Sequence, residues 1–182
     1  MKSASSLPGF DAPAVGFEQP FEMLVACHER VNRTLDLLQR LIDHIDAQGH
    51  DASSRSAAAD VLRYFDIAAP LHHEDEELHV FPVLATSTDP RMQATIRTLQ
   101  RDHERMADLW ARLRTVLQIW RDDATPPTID TATRRRIGEF TGMYAAHIAA
   151  EEGLVYPMAR GRFDAAGLAR IGVEMQERRR VG

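Results

Sequence analysis

Two eleven-residue stretches of the sequence align with each other without a gap. They are His72-His73-Glu74-Asp75-Glu76-Glu77-Leu78-His79-Val80-Phe81-Pro82 and His147-Ile148-Ala149-Ala150-Glu151-Glu152-Gly153-Leu154-Val155-Tyr156-Pro157. Both read H-x-x-x-E-E-x-x-x-aromatic-P. On a helix, a histidine and a carboxylate one turn apart lie on the same face. His72 with Glu76, and His147 with Glu151, can therefore each aim an imidazole and a carboxylate at one point. That donor set suits iron, manganese or zinc. A rival register, His73 with Glu77, has the same spacing, but the turns before it carry Asp66 and Arg63, a solvated face. Stepping back from His72 meets Ala69, Phe65 and Leu62 instead. His72 and Glu76 are therefore taken as ligands, with His73 and Glu77 secondary.

These pairs need elements that bring them together. From Phe21 onward, apolar residues recur with helical spacing in four long blocks. Gly49-His50-Asp51 with Ser53-Ser54 parts the first from the second, and Pro82 followed by Ser87 to Pro90 parts the second from the third. Asp122 to Pro127 separates the third from the fourth, which closes at Pro157 and Gly161. A shorter fifth helix is expected over Asp164 to Arg179, with Asp164 as N-cap and Leu168, Ile171 and Met175 on one face. No stretch alternates with period two long enough to make a strand. The expectation is an all-α fold of four helices of roughly 25–30 residues, each about 40 Å long and antiparallel to its neighbours through short loops, with the fifth behind them.

The stripe that each helix would bury shows where chemistry interrupts packing. The first reads Phe21, Leu24, His28, Val31, Leu35, Leu38, Ile42, Ile45, and the third reads Met92, Ile96, Leu99, His103, Met106, Trp110, Leu113, Leu117, Trp120. Each is apolar but for one histidine. The second reads Leu62, Phe65, Ala69, His72, Glu76, His79, Val83, and the fourth reads Ile137, Phe140, Tyr144, His147, Glu151, Leu154, Met158. A buried carboxylate is paired or bound to metal, and no Lys or Arg lies on any of these stripes to pair with Glu76 or Glu151. A metal would supply the missing positive charge.

Composition bounds the rest. The chain has 182 residues, 44% of them hydrophobic, with 22 Lys+Arg against 27 Asp+Glu for a formal charge of −5. That length supports a core without help from a metal. A lone Cys27 excludes a disulfide framework and a cysteine-based zinc finger, and favours a reducing cytoplasm. The acidity argues against nucleic acid as a partner. No run of roughly 18 apolar residues is present, so no membrane span is expected. Residues 1–20 lack the features of a signal peptide and read as a loosely packed arm.

The residues now assembled resemble the hemerythrin-like family, the HHE cation-binding domains. The resemblance covers roughly Phe21 to Pro157. It rests on the lone His28, on LHHEDEE followed by FP, on the lone His103, and on H-x-x-x-E-E before YP. It implies an up-down-up-down four-helix bundle at 21–160, preceded by the arm at 1–20 and followed by a C-terminal helix and tail at 161–182. It also implies a non-haem di-iron site, oxo- or hydroxo-bridged, with zinc or manganese as other occupants. Carried onto this chain, His28 and His72 serve one metal, His103 and His147 the other, and Glu76 and Glu151 bridge. Oxygen-carrying members have a second histidine one turn after the third-helix ligand; here that position is Ala107. This departure leaves more of the coordination sphere open and weighs against an unmodified carrier mechanism.

The functional expectation is a protein that binds or senses oxygen or nitric oxide, or that handles iron, with a small diatomic molecule or peroxide as ligand. The alternatives are a redox enzyme on the same site, reducing peroxide or repairing iron–sulfur clusters, and a zinc-stabilised structural or interaction protein. A ferritin-like oxidase would need two Glu-x-x-His motifs, and Glu76 to His79 supplies one. His79 reads as an edge histidine or an outer donor, His44 and His50 as solvated, Tyr144 as a core tyrosine and Cys27 as an inert thiol. Arg134-Arg135-Arg136 and Arg178-Arg179-Arg180 read as solvated faces or tails. Pro70 is expected to kink or loosen the second helix just before its ligands.

Overall fold

The computed structural model describes residues 15–123 and 129–180. Most of the expected arm and part of the turn expected at Asp122 to Pro127 lie outside them. All regular structure among the described residues is helical. Helix α1 spans Pro20–Gln48, with proline in its first turn, where the missing N–H costs nothing. It ends at Gly49, whose φ of 88° is open to glycine at no steric cost. Helix α2 is a continuous rod over 52–85, started by a capping box in which Asp51 and Ser54 satisfy each other's backbone N–H. Helix α3 spans Pro90–Asp122 behind an Asp89 cap. The rod α4 covers 131–160 behind an Asp130 cap, and α5 spans Ala165–Arg178 behind the expected Asp164 cap. No described helix is long and apolar enough to cross a membrane.

Helix α2 lies against α1 and α3, α3 against α4, and α5 against α1; the last turns of α2 and α4 also meet. Two apolar clusters form. One gathers Val31, Leu38, Ile42, Phe65, Met106, Leu113, Phe140 and Tyr144, and the other gathers Phe21, Leu24, Val80, Phe81, Leu99, Tyr156 and Met175.

The prolines at 82 and 157 do not end their helices. Each rod carries a π-turn instead: Tyr64–Ala68 and Glu76–Val80 in α2, and Glu151–Val155 in α4. Every one stops two residues short of a proline, at Pro70, Pro82 and Pro157. In an α-helix a proline leaves the carbonyl four residues back without a donor and collides with it. The wider turn makes room, and the residue just before each proline bonds five residues back: Ala69 N–H to the Tyr64 carbonyl, Phe81 to Glu76, Tyr156 to Glu151.

The π-turns that begin at Glu76 and Glu151 each advance the chain by one residue without a matching rotation, so the buried stripe shifts by one position beyond them. After Glu76 the buried residues are Val80, Phe81 and Leu84, not His79 and Val83. After Glu151 they are Val155, Tyr156 and Ala159, while Leu154 and Met158, expected inside, are 42% and 47% exposed.

Helix α5 packs closely on the chain leading into α1. A Cβ at Gly172 would lie 1.9 Å from the Phe17 carbonyl oxygen, and the Arg179 guanidinium sits over the Phe17 ring, 5.3 Å from its centre. Gly138, exposed on α4, has no atom within 4 Å of such a Cβ. Gly172→Ala should therefore destabilise the protein by about 1–3 kcal/mol through overpacking. Gly138→Ala should stabilise it by about 0.5–1 kcal/mol through helix propensity. Thermal melts of the two variants should move in opposite directions; equal shifts would contradict the close packing of α5.

Candidate metal centre

The six residues expected as ligands converge between the two apolar clusters, and all six are buried. His28 comes from α1, His72 and Glu76 from α2, His103 from α3, and His147 and Glu151 from α4. Donor atoms of Glu76, His103, His147 and Glu151 lie within 4.8 Å of one another, and so do those of His28, His72 and Glu76. Glu76 belongs to both groups.

Three histidines are oriented by carboxylates behind them. His28 Nδ1 lies 2.8 Å from Glu152 Oε1, His103 Nδ1 3.0 Å from Glu77 Oε1, and His147 Nδ1 3.4 Å from Asp102 Oδ2. An ionised carboxylate only accepts, so each Nδ1 carries the proton and each Nε2 turns its lone pair inward. Gln100 donates to Glu77 at 2.9 Å and steadies it. The repeat thus works crosswise: its second glutamate in α2 orients the histidine of α3, and its second glutamate in α4 orients the histidine of α1. Its aromatic residues follow the same rule. Phe81 stacks on His103 at 5.5 Å and 26°, and Tyr156 stacks on His28 at 5.5 Å and 10°.

Inside the cluster, acceptors face acceptors. His103 Nε2 and His147 Nε2 are 3.1 Å apart, His147 Nε2 is 3.0 Å from Glu151 Oε1, and His28 Nε2 is 3.2 Å from Glu151 Oε2. Among the described residues, four buried side-chain polar atoms have no hydrogen-bond partner: His72 Nδ1, Glu76 Oε2 and both carboxylate oxygens of Glu151. Glu76 and Glu151 are 0% exposed, so water does not reach them either. A donor set of this kind fits a cation, which accepts lone pairs from all sides.

His73 does not face solvent as its register suggested. It is half-buried, and its ring lies parallel to that of His103 at 4.0 Å. Glu77, its partner in spacing, serves His103. Ala107 is exposed and brings no donor. Tyr144 is a core residue, packed on Phe140 and Phe65. Tyr156, passed over in the stripe, is the tyrosine of the site: its hydroxyl donates to Glu76 Oε1 and lies 3.1 Å from His28 Nε2. The signal was present in the aromatic that closes the repeat. His79 turns away to Arg178 and Glu174, at 3.0 and 3.4 Å. Arg178 and Arg179 are not a solvated tail. Both donate to the carboxylate of Asp75, which is 1% exposed.

A helical chain that closes four imidazoles and two carboxylates around one buried point is built as a helical cation-binding domain. Residues 19–166 match the Hemerythrin HHE cation binding domain, and the chain belongs to that family. It is also 33% identical over 165 residues to an uncharacterized protein of Haemophilus influenzae, an alignment that spans 91% of this chain and 92% of the relative.

Without a cation the cluster must hold protons. Burial and the Glu151 charge keep the Glu76 carboxyl protonated up to about 7. Burial pulls His28 and His147 down, but hydrogen bonding to Glu151 and its charge carry both above the ordinary histidine value. Burial opposes ionisation of Glu151 too, yet His147 and His28 hold its carboxyl well below the usual range. Burial with His28, and burial with His103, keep His72 and His73 neutral far below their ordinary value. The stability contributed by the three raised groups is full below their unfolded values and is lost as pH rises through their folded ones. His72, His73 and Glu151 act in the opposite sense, but only below about pH 6.5. The melting temperature of chelator-stripped protein should therefore fall as pH rises through about 6.5–7. Metal-loaded protein should resist that fall, because its ligands bind deprotonated. A rise in the stripped protein over this interval would contradict the assignment.

Proposed function

We propose that the cluster holds two iron ions, at positions served by His28 and His72 on one side and His103 and His147 on the other, with Glu76 and Glu151 shared between them. The observation that carries this reading is the convergence of inward lone pairs and partnerless carboxylate oxygens in a site closed to water. We infer an up-down-up-down order for α1 to α4 from their short connections. Iron at such a site supplies open coordination positions and a one-electron couple.

The chain's own residues prepare the rest. Glu152, Glu77 and Asp102 hold the Nδ1 protons and so aim three Nε2 atoms inward. The two apolar clusters exclude water above and below. Ala107 is exposed and adds no ligand. An open, water-poor iron site suits a small diatomic molecule such as oxygen or nitric oxide, or peroxide. The protein accordingly binds or senses such a molecule, or handles iron. A ferritin-like oxidase is disfavoured because His79, the one histidine with Glu-x-x-His spacing, is engaged with Arg178 and Glu174.

Anaerobic loading with ferrous iron followed by air should leave about two irons per chain, with near-ultraviolet ligand-to-iron charge-transfer absorption. Glu151→Ala should lose metal and melt lower than the loaded parent, because it removes a shared ligand. Metal analysis, absorption and thermal melts check both points; uptake of zinc but no iron would move the protein to a structural role. Exposure of the reduced form to oxygen, nitric oxide and peroxide separates binding, seen as a stable spectrum, from catalysis, seen as turnover.

A further inference from the structure

The two halves of the cluster share their carboxylates: Glu76 belongs to both donor groups, and Glu151, grouped with His103 and His147, also sets Oε2 3.2 Å from His28 Nε2. They differ at Tyr156, which engages two members of the group His28, His72 and Glu76. Its hydroxyl donates to Glu76 Oε1 and lies 3.1 Å from His28 Nε2. Glu76 therefore has one oxygen held and one, Oε2, without a partner, whereas both oxygens of Glu151 are without one. In the other half of the cluster the place of Tyr156 is taken by Phe81, stacked on His103 in the same way but with no hydroxyl to offer.

We propose that Tyr156 is a positioning residue that makes the two metal positions unequal. By donating to Glu76 Oε1 and facing His28 Nε2, it contends with the ion for donors of the His28, His72 and Glu76 position. That position fills second and more weakly than the one served by His103 and His147. The proposal rests on the reading that the cluster holds two ions. Its physical basis is the strength of a buried hydrogen bond to a carboxylate, which an incoming ion must share or break at Oε1. Phe81 shows that the fold accepts the same ring without a hydroxyl, so Tyr156→Phe removes the contest and little else.

The test is anaerobic calorimetric titration of the chelator-stripped full chain with ferrous iron, in the parent, in Tyr156→Phe and in Phe81→Tyr, followed by visible spectra of the oxidised forms. The parent should take up two ions in resolved steps. In Tyr156→Phe the weaker step should tighten about tenfold while the stronger stays in place. Phe81→Tyr, which puts a hydroxyl in the twin position, should weaken the stronger step by a similar factor. Unchanged steps in both variants would overturn the proposal while leaving the two-ion reading intact. So would loss of the weaker step in Tyr156→Phe, or a visible phenolate-to-iron band in the parent, since either would make Tyr156 a ligand rather than a contender. Uptake of no ion by the parent would instead sink the metal reading, and the proposal with it.

Discussion

Everything in this molecule accommodates one electrostatic constraint: lone pairs from four helices are aimed at a common point that water does not reach. His103 and His147 present their Nε2 atoms to each other at 3.1 Å, and Glu151 sets its two oxygens 3.0 and 3.2 Å from the Nε2 atoms of His147 and His28. Such an arrangement repels itself unless something positive lies within it. Protons can serve, which is why Glu76, His28 and His147 all hold theirs more tightly than usual. A divalent ion serves better at neutral pH, since it gathers several donors at once. The carboxylates outside the cluster matter for the same reason. By fixing the proton on Nδ1, Glu152, Glu77 and Asp102 remove the freedom of the imidazoles to relieve the repulsion by changing tautomer.

Helix geometry has to bend to meet this constraint. A regular α-helix carrying His72 and Glu76 inward would next bury His79 and Val83, and one carrying His147 and Glu151 would bury Leu154 and Met158. The π-turns that begin at Glu76 and Glu151 break that progression and bring Phe81 and Tyr156 over the imidazoles of the neighbouring helices. The prolines that follow are the local cause. They cannot bond to the preceding turn, and the wider turn is the form of helix that accepts them. One feature of the repeat, the aromatic followed by proline, thus sets both the backbone form and the ring that packs on the neighbouring helix's histidine.

This also marks the boundary of what could be read from residue order. The six inward residues were legible because each interrupts an otherwise apolar stripe with a group that cannot be buried alone. The five helices were legible from caps, turns and helical spacing. The residues beyond Glu76 and Glu151 were not, because a stripe extrapolated at constant pitch goes wrong by one position after the π-turns that begin there. The roles of Glu77, Glu152 and Asp102 were not legible for another reason. Their function depends on which neighbouring helix they face, and spacing within one helix carries no such information. His73 ranks second on the solvated character of its own face, yet the ring it stacks on belongs to α3.

The same limit applies to the charges. The absence of Lys and Arg from the four buried stripes suggested that no cation was near Glu76, but two arginines do approach from α5. Arg178 and Arg179 both reach Asp75, the residue adjacent to Glu76, whose counterpart in the repeat is Ala150. A buried carboxylate held by two guanidinium groups is satisfied from outside the cluster, and it fastens α5 across α2 beside Glu76. The arginines are thereby committed away from Glu76. Glu76 and Glu151 remain inside a ring of imidazoles with a hydroxyl as their one neutral donor, so the neutralising charge must come from protons or from an ion. Asp75 therefore strengthens the case for a metal centre: it draws off the nearby cations that could have turned the cluster into an ordinary buried salt bridge.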